Sequence, residues 1–372
     1  MKHLLIGIDG TSQAAFYDKF HSNVFRLNLA LNYKDRADHP QFFVYLSGVG
    51  STKKRQFSVL GRAFGQGIDE IILQAYINLV SNYEEGDKIY VFGFSRGAVA
   101  ARALTGLISV SGLLRAERSY LVEDAWTYFV DQNYKGRYAQ IKPLDTHKNL
   151  KIEFLGLWDT VYGFNTAKSL RKNPFMSLRF RDFQLDRHVK HGVHVLSMDD
   201  SRRYFAPMLW DNGRQPGQKM EQIWMPGVHS DIGGGYQKSF IATVSLFTML
   251  DKLAESCPDL TYDREYLDDH LFKSLEEQEI VINDERENYF LLTDRPWPRE
   301  IDCAQAARKQ SLHPLTAQLE GKDIIIRGKR RTYRPGCKML NNGKIKLSQT
   351  EFASTSYSSQ LDKCVTAKFP AP

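Results

Sequence analysis

Several absences narrow the sequence before any motif is considered. It has no run of eighteen or more apolar residues, so no segment is long enough to span a bilayer as a helix. The apolar stretch opening MKHLLIGIDGTSQ stops at Asp9, too short for a signal-peptide core, and no small-residue cleavage site follows it. It reads as a first strand, and the chain is expected to be made in the cytoplasm. Cysteine is scarce, with 4 in 372 residues. Cys257, Cys303, Cys337 and Cys364 lie far apart without a C-x-x-C pair, which argues against a zinc cluster or a disulfide framework and fits a reducing compartment. No internal repeat and no long linker are visible. The glycine string GRAFGQG at 61–67 has neither G-x-G-x-x-G spacing nor a G-K-[ST] ending, so no nucleotide cradle is expected. The formal charge of +7 is mild and permits attraction to anionic surfaces without specifying one.

What is present suffices for one large core: 42% of residues are apolar and 12% aromatic. Up to about residue 255, short apolar runs alternate with helical periodicity. Strands are expected at 3–8, 41–46, 88–94, 151–158 and 222–225, and helices at 24–32, 68–83, 96–114, 120–131 and 240–255. The stretch RHVKHGVHVLS is expected to be helical, with its histidines on a face near the core. Such alternation implies an α/β fold, with a mostly parallel central sheet covered by helices on both faces. After Cys257-Pro258 the rhythm breaks into acidic segments and then a strongly basic one. The expected division is a catalytic domain over 1–257 and, over 258–372, a C-terminal extension packed on it. Within the latter, IIIRGKRRTYRPG fits either a hairpin or an extended arm.

The chemistry starts at KIYVFGFSRGAVAAR, where a buried strand meets an alanine-rich helix through G-F-S-R-G. Alone, G-x-S-x-G is weak, since chance supplies one in roughly a tenth of chains this long. Here the strand precedes it and the helix follows, the context in which a tight turn lifts a serine hydroxyl out of the sheet. Ser95 is therefore the candidate nucleophile. It needs a base and an orienting acid, which on such a sheet follow in the order serine, acid, histidine, each in a loop after a later strand. KIEFLGLWDTVYGF offers Asp159 and EQIWMPGVHSDIGGGY offers His229. Asp231 is the competing or supporting acid, though a residue so near His229 is better placed to bind backbone N–H groups of its own turn. The oxyanion of acyl transfer needs backbone donors, expected at Arg96 and, from the loop after the first strand, at Thr11 or Gly10. His188, His191 and His194 look metal-like, but no carboxylate lies at a ligand's spacing, so no metal is expected.

The segment 164–183 mixes cations with large apolar residues. It reads as an ordinary surface element or, alternatively, as a lid or membrane rim. In the second reading Phe175, Met176 and Phe180 enter the acyl region while Arg179 and Arg181 meet phosphates.

IDGT, SNVFRL, YLSGVGS, GDKIYVFGFSRGAVAARALTGLI, GLWDTV, HVLSMDDSRRYFAPMLW and GVHSDIGGGY occur in one order over roughly residues 4–240. Together they resemble the uncharacterised α/β-hydrolase domain family that includes the first family of type VI secretion phospholipase effectors. The resemblance implies an α/β-hydrolase fold and a triad of Ser95, Asp159 and His229 that needs no cofactor. It also implies phospholipase A activity on phospholipid or another acyl ester, with peripheral membrane contact. For an effector it implies delivery into target cells by type VI secretion, with a secretion-apparatus partner and an immunity protein. No nucleic-acid partner is expected, since short charge runs such as RGKRRTYR are usually solvated faces. The competing reading is a non-catalytic hydrolase-fold module that binds a partner or an anionic surface through the basic C-terminal segment.

Overall fold

The computed structural model describes residues 1–11, 13–15, 19–33, 39–50, 67–131, 145–162, 184–211, 215–284, 296–302, 309–339 and 368. Its centre is a seven-stranded sheet. The strands are β1 (His3–Ile8), β2 (Gln41–Leu46), β3 (Lys88–Phe94), β4 (Ile152–Trp158), β5 (Val189–Ser197), β6 (Lys219–Met225) and, later in the chain, β9 (Gln310–Leu312). They lie in the order β2-β1-β3-β4-β5-β6-β9, and every pairing in the sheet is parallel. Two short strands intervene, β7 (Val281–Ile282) and β8 (Glu300–Ile301).

Helices cover both faces, as a fully parallel sheet requires. α1 (Asn23–Ala30) and the long α6 (Phe240–Ser256) pack with Leu5, Phe92, Phe94, Phe154, Val193 and Val195 on one side. α2 (Ile68–Asn82), α3 (Arg96–Ser111) and α4 (Val122–Val130) pack with Leu4, Ile6, Ile8, Ile89, Val91 and Leu155 on the other. Alternate residues of β1 and β3 thus enter different cores, the period-two consequence of a pleated strand. α5 (His229–Gly233) is a single turn shortly after β6, and its Ile232 packs in the first of these cores.

The expected helix at RHVKHGVHVLS is instead β5, buried at every position but Lys190. A strand covered on both faces loses its apolar alternation, so the histidines at every third residue mimicked a helical period. On the strand His191 and His194 point to opposite faces. His191 bonds Ser256 and Glu221, while His194 accepts from the Thr160 N–H at 3.0 Å, so these two rings do not share a site. The basic string near the C-terminus forms a hairpin of β10 (Asp323–Ile326) and β11 (Lys329–Thr332).

The chain leaves β1 toward β2 on one side and returns to β3 on the other. At such a switch point the loops beyond the carboxyl ends of the strands diverge and open a crevice. The loops after β1 and β3 carry Gly10 and Ser95.

Candidate active site

Ser95 sits between β3 and α3 with φ 57° and ψ −122°, a positive-φ conformation that L-residues adopt only under constraint. The constraint is packing. A Cβ on Gly97 would lie 2.2 Å from the Ile8 carbonyl oxygen and 2.3 Å from that of Asp9, so only glycine lets α3 start this close to β1. The Ser95 N–H donates to Trp158 O at 3.0 Å, tying the turn to the end of β4.

That end of β4 continues into Asp159, which is wholly buried and also has a positive φ, 37°. Its N–H donates to Val195 O at 2.8 Å, and its Oδ1 accepts from the Ser197 N–H at 3.1 Å. The turn is therefore held against β5. His229 opens α5, and its N–H donates to Asp200 Oδ2 at 3.3 Å. Its imidazole lies between the rings of Phe94 and Phe205, at centroid distances of 4.8 and 5.3 Å.

Three residues far apart in sequence thus meet. His229 Nε2 is 2.9 Å from Ser95 Oγ, and His229 Nδ1 is 2.6 Å from Asp159 Oδ2. With the proton on Nδ1 donated to the carboxylate, Nε2 is left to accept from the serine hydroxyl. Burial alone would raise the Asp159 carboxyl. The Arg299 guanidinium and the His229 hydrogen bond outweigh burial and hold it well below the usual carboxylate range, so the acid is ionised at neutral pH.

Arg299 was not anticipated from the sequence. It is buried, and it donates from Nη1 to Asp159 Oδ1 at 2.5 Å and from Nη2 to Oδ2 at 2.8 Å. Nothing in PWPREID marks it locally. The only signal lay in the acid itself, because a buried carboxylate needs a counter-charge.

Asp231 takes a different place from Asp159. Its Oδ2 accepts from the N–H groups of Val228 and Asn283 at 3.0 and 3.1 Å, and its Oδ1 from Asn283 Nδ2 at 2.6 Å. These bonds fix the turn that presents His229. The loop after β1 packs on the serine turn: a Cβ on Gly10 would lie 2.7 Å from the Phe94 ring and 3.4 Å from Ser95 Cβ. The Gly10 N–H donates to Asp9 Oδ1 at 2.6 Å, so this donor already has an acceptor. Asp9 is itself anchored by the hydroxyls of Ser22 and Tyr45, each at 2.6 Å. Thr11 Oγ1 accepts from Arg96 Nε, and Arg96 supplies the first amide of α3, which has no acceptor within the helix. Phe175, Met176, Arg179, Phe180 and Arg181 lie outside the described residues.

A family model described as "T6SS, Phospholipase effector Tle1-like, catalytic domain" matches residues 2–252. The chain belongs to this family. All three residues of the hydrogen-bonded chain fall within the matched stretch of this Tle1-like protein, and Arg299 falls beyond it. The protein is similar to the uncharacterized protein YEL023C of Saccharomyces cerevisiae, with 29% identity over 233 residues, 56% of this chain and 33% of the yeast protein. It thus spans about a third of the length of that curated relative. Among solved structures, an uncharacterized protein from Pseudomonas aeruginosa is similar at 19% identity and TM-score 0.45, covering 68% of this chain and 46% of that one. A Tle1 effector bound to the VgrG spike of the type 6 secretion system is similar at 22% identity and TM-score 0.37, covering 64% of this chain and 52% of that one.

Proposed function

We propose that this Tle1-like protein is a serine hydrolase that cleaves acyl ester bonds of phospholipids, with phospholipase A-type specificity. The observation that carries the reading is the hydrogen-bonded chain from Ser95 Oγ through the His229 imidazole to Asp159, at 2.9 and 2.6 Å.

In this mechanism the Ser95 hydroxyl attacks the ester carbonyl carbon while His229 Nε2 takes its proton. Asp159 keeps the imidazole in the tautomer that accepts at Nε2 and stabilises the imidazolium that forms. The negative oxygen of the tetrahedral intermediate is met by the N–H of Arg96, at the positive end of α3, and by that of Thr11. The intermediate collapses, the C–O bond to the leaving lysophospholipid breaks, and His229 returns the proton to that oxygen. Water, deprotonated by the same imidazole, then attacks the acyl-Ser95 ester and releases the fatty acid. Every step is a proton or acyl transfer among these groups, and none calls for a cofactor.

Family membership extends the proposal to delivery by type VI secretion, with a secretion-apparatus partner and an immunity protein. A second reading, a non-catalytic module that binds anionic surfaces, draws on the hairpin's exposed Arg327, Lys329, Arg330 and Arg331. Mass spectrometry of mixed phospholipid vesicles after incubation separates the two. Release of fatty acid and lysophospholipid, absent with Ser95→Ala, supports the hydrolase. Vesicle binding without any product supports the module.

A further inference from the structure

We propose that Arg299 is a positioning residue for the acid of the triad, which makes the chain beyond residue 257 a working part of the active centre. The proposal rests on the serine-hydrolase reading above.

The geometry is that of a clamp. The two terminal nitrogens of Arg299 hold the two oxygens of Asp159 at 2.5 and 2.8 Å, a bidentate arrangement that sets the carboxylate plane as well as its place. The same nitrogens donate onward, Nη1 to Ser197 O and Nη2 to Phe205 O, each at 2.8 Å. One guanidinium therefore ties together the acid, the end of β5 and the loop that lays the Phe205 ring on His229. Asp159 Oδ2 receives both Arg299 and His229, so a rotation of the carboxylate would break both bonds at once.

The clamp comes from outside the part of the chain that matches the family model, which ends at residue 252. Its own support lies further on. Glu300–Ile301 pairs in parallel with Lys338–Met339, and the Lys338 N–H donates to Arg299 O at 2.7 Å. The Gly336 N–H and the Tyr333 hydroxyl bind Asp199, the neighbour of the residue that accepts the His229 N–H. Residue 299 thus braces the acid directly, and 333–338 brace the turn before the base through Asp199, which also accepts from the Gly227 N–H.

The clamp also carries charge. Among the described residues the ionisable groups around Asp159 are Arg299 and His229 in contact, the Asp200–Arg202 pair near Arg299, and His194 of β5 with Arg102 near it. Arg299 offsets the field of Asp159 at the imidazole. Without it, the uncompensated negative charge of Asp159 favours the more protonated form of the centre, and the acid limb of the rate profile moves upward.

Arg299→Gln and Arg299→Lys are to be assayed on p-nitrophenyl butyrate across pH, with folding followed by circular dichroism. Asp159→Asn and the double variant Asp159→Asn/Arg299→Gln complete the set. Arg299→Gln is expected to lower kcat about ten-fold or more with KM within about two-fold, and to move the acid limb to higher pH. Arg299→Lys is expected to return the limb to its wild-type position and recover part of kcat. In the Asp159→Asn background, Arg299→Gln is expected to cost nothing further, because the two residues act as a unit. Wild-type kcat and limb in folded Arg299→Gln would overturn the proposal, as would losses in both variants with the limb unmoved. A further ten-fold loss in the double variant relative to Asp159→Asn would overturn it too. Should Arg299→Gln fail to fold, that last comparison decides, since it removes the buried charges together. A wild type that neither turns over the ester nor takes a fluorophosphonate label on Ser95 overturns the hydrolase reading itself.

Discussion

Asp159 and Asp231 are both buried carboxylates near the His229 loop, and what separates them is what they accept from. Asp159 accepts from the imidazole and from Arg299, whereas Asp231 accepts from two backbone N–H groups and an amide side chain. An amide at position 159 would favour the imidazole tautomer with its proton on Nε2, which cannot take the serine proton. Asp159→Asn is therefore expected to lower turnover about a thousand-fold or more. Asp231→Asn is expected to leave turnover within about ten-fold and to cost about 1–3 kcal/mol of stability, the usual loss when a buried bond is left unmade. Esterase kinetics and urea denaturation of the two variants check both halves. An inactive, well-folded Asp231→Asn beside an active Asp159→Asn would reverse the assignment. Ser95, Asp159 and His229 were legible because each stands in a local pattern, a glycine turn or a loop directly after an apolar strand. Arg299 was not legible, because it lies 140 positions from its partner and nothing in its neighbours records the pairing.

Among the elements, the turn from β3 to α3 was readable from its glycines set between an apolar strand and an alanine-rich helix, and the structure supplies the reason for the glycines. The Gly97 position faces two carbonyl oxygens of the chain around Ile8 and Asp9, and backbone cannot give way as a side chain can. Gly97→Ala is expected to destabilise the fold by about 3 kcal/mol and to displace Ser95 from His229. Gly106→Ala, further along α3, meets only the Phe129 ring at 3.3 Å. Alanine's better helix propensity offsets that contact, so its change should stay within about 1 kcal/mol. Chemical denaturation of both variants tests the contrast, and equal effects would remove the steric account of the turn. β1, β2 and β3 end where their apolar runs do and open one residue before them, at His3, Gln41 and Lys88. β5 was misread because full burial erased its alternation. β9 is only three residues long, and its place beside β6 is fixed by register with Gln222, Ile223 and Trp224 rather than by any pattern of its own.

For the whole molecule, the buried histidines make stability depend on pH. Burial lowers His194 and His313 to about 3, with Arg102 adding to the effect at His194, and burial lowers His3 to about 4. Unfolded imidazoles take up protons near 6.5, so below that pH the unfolded chain binds more protons than the folded one. This contribution is complete above about pH 6.5 and is lost as pH falls toward 3. Glu221 adds a second stage. Burial would raise it, but His191 and Lys252 hold it at about 2, so its share is present above about pH 4 and lost as pH falls toward 2. Tm measured from pH 8 to 3 is expected to decline from about pH 6.5 downward. His313→Gln, able to keep the bonds to Leu315 N–H and Thr248 Oγ1, is expected to flatten the first part of that decline. A Tm that stays level from pH 7 to 4 would contradict the neutral burial of these rings. The central claim, that Ser95 is a nucleophile activated by His229, is tested most directly by intact-protein mass after treatment with a fluorophosphonate. The account predicts a single phosphonyl adduct on wild-type protein, mapped to Ser95 and absent from folded Ser95→Ala and His229→Ala. A wild type left unmodified, or an equal adduct on Ser95→Ala, would contradict it.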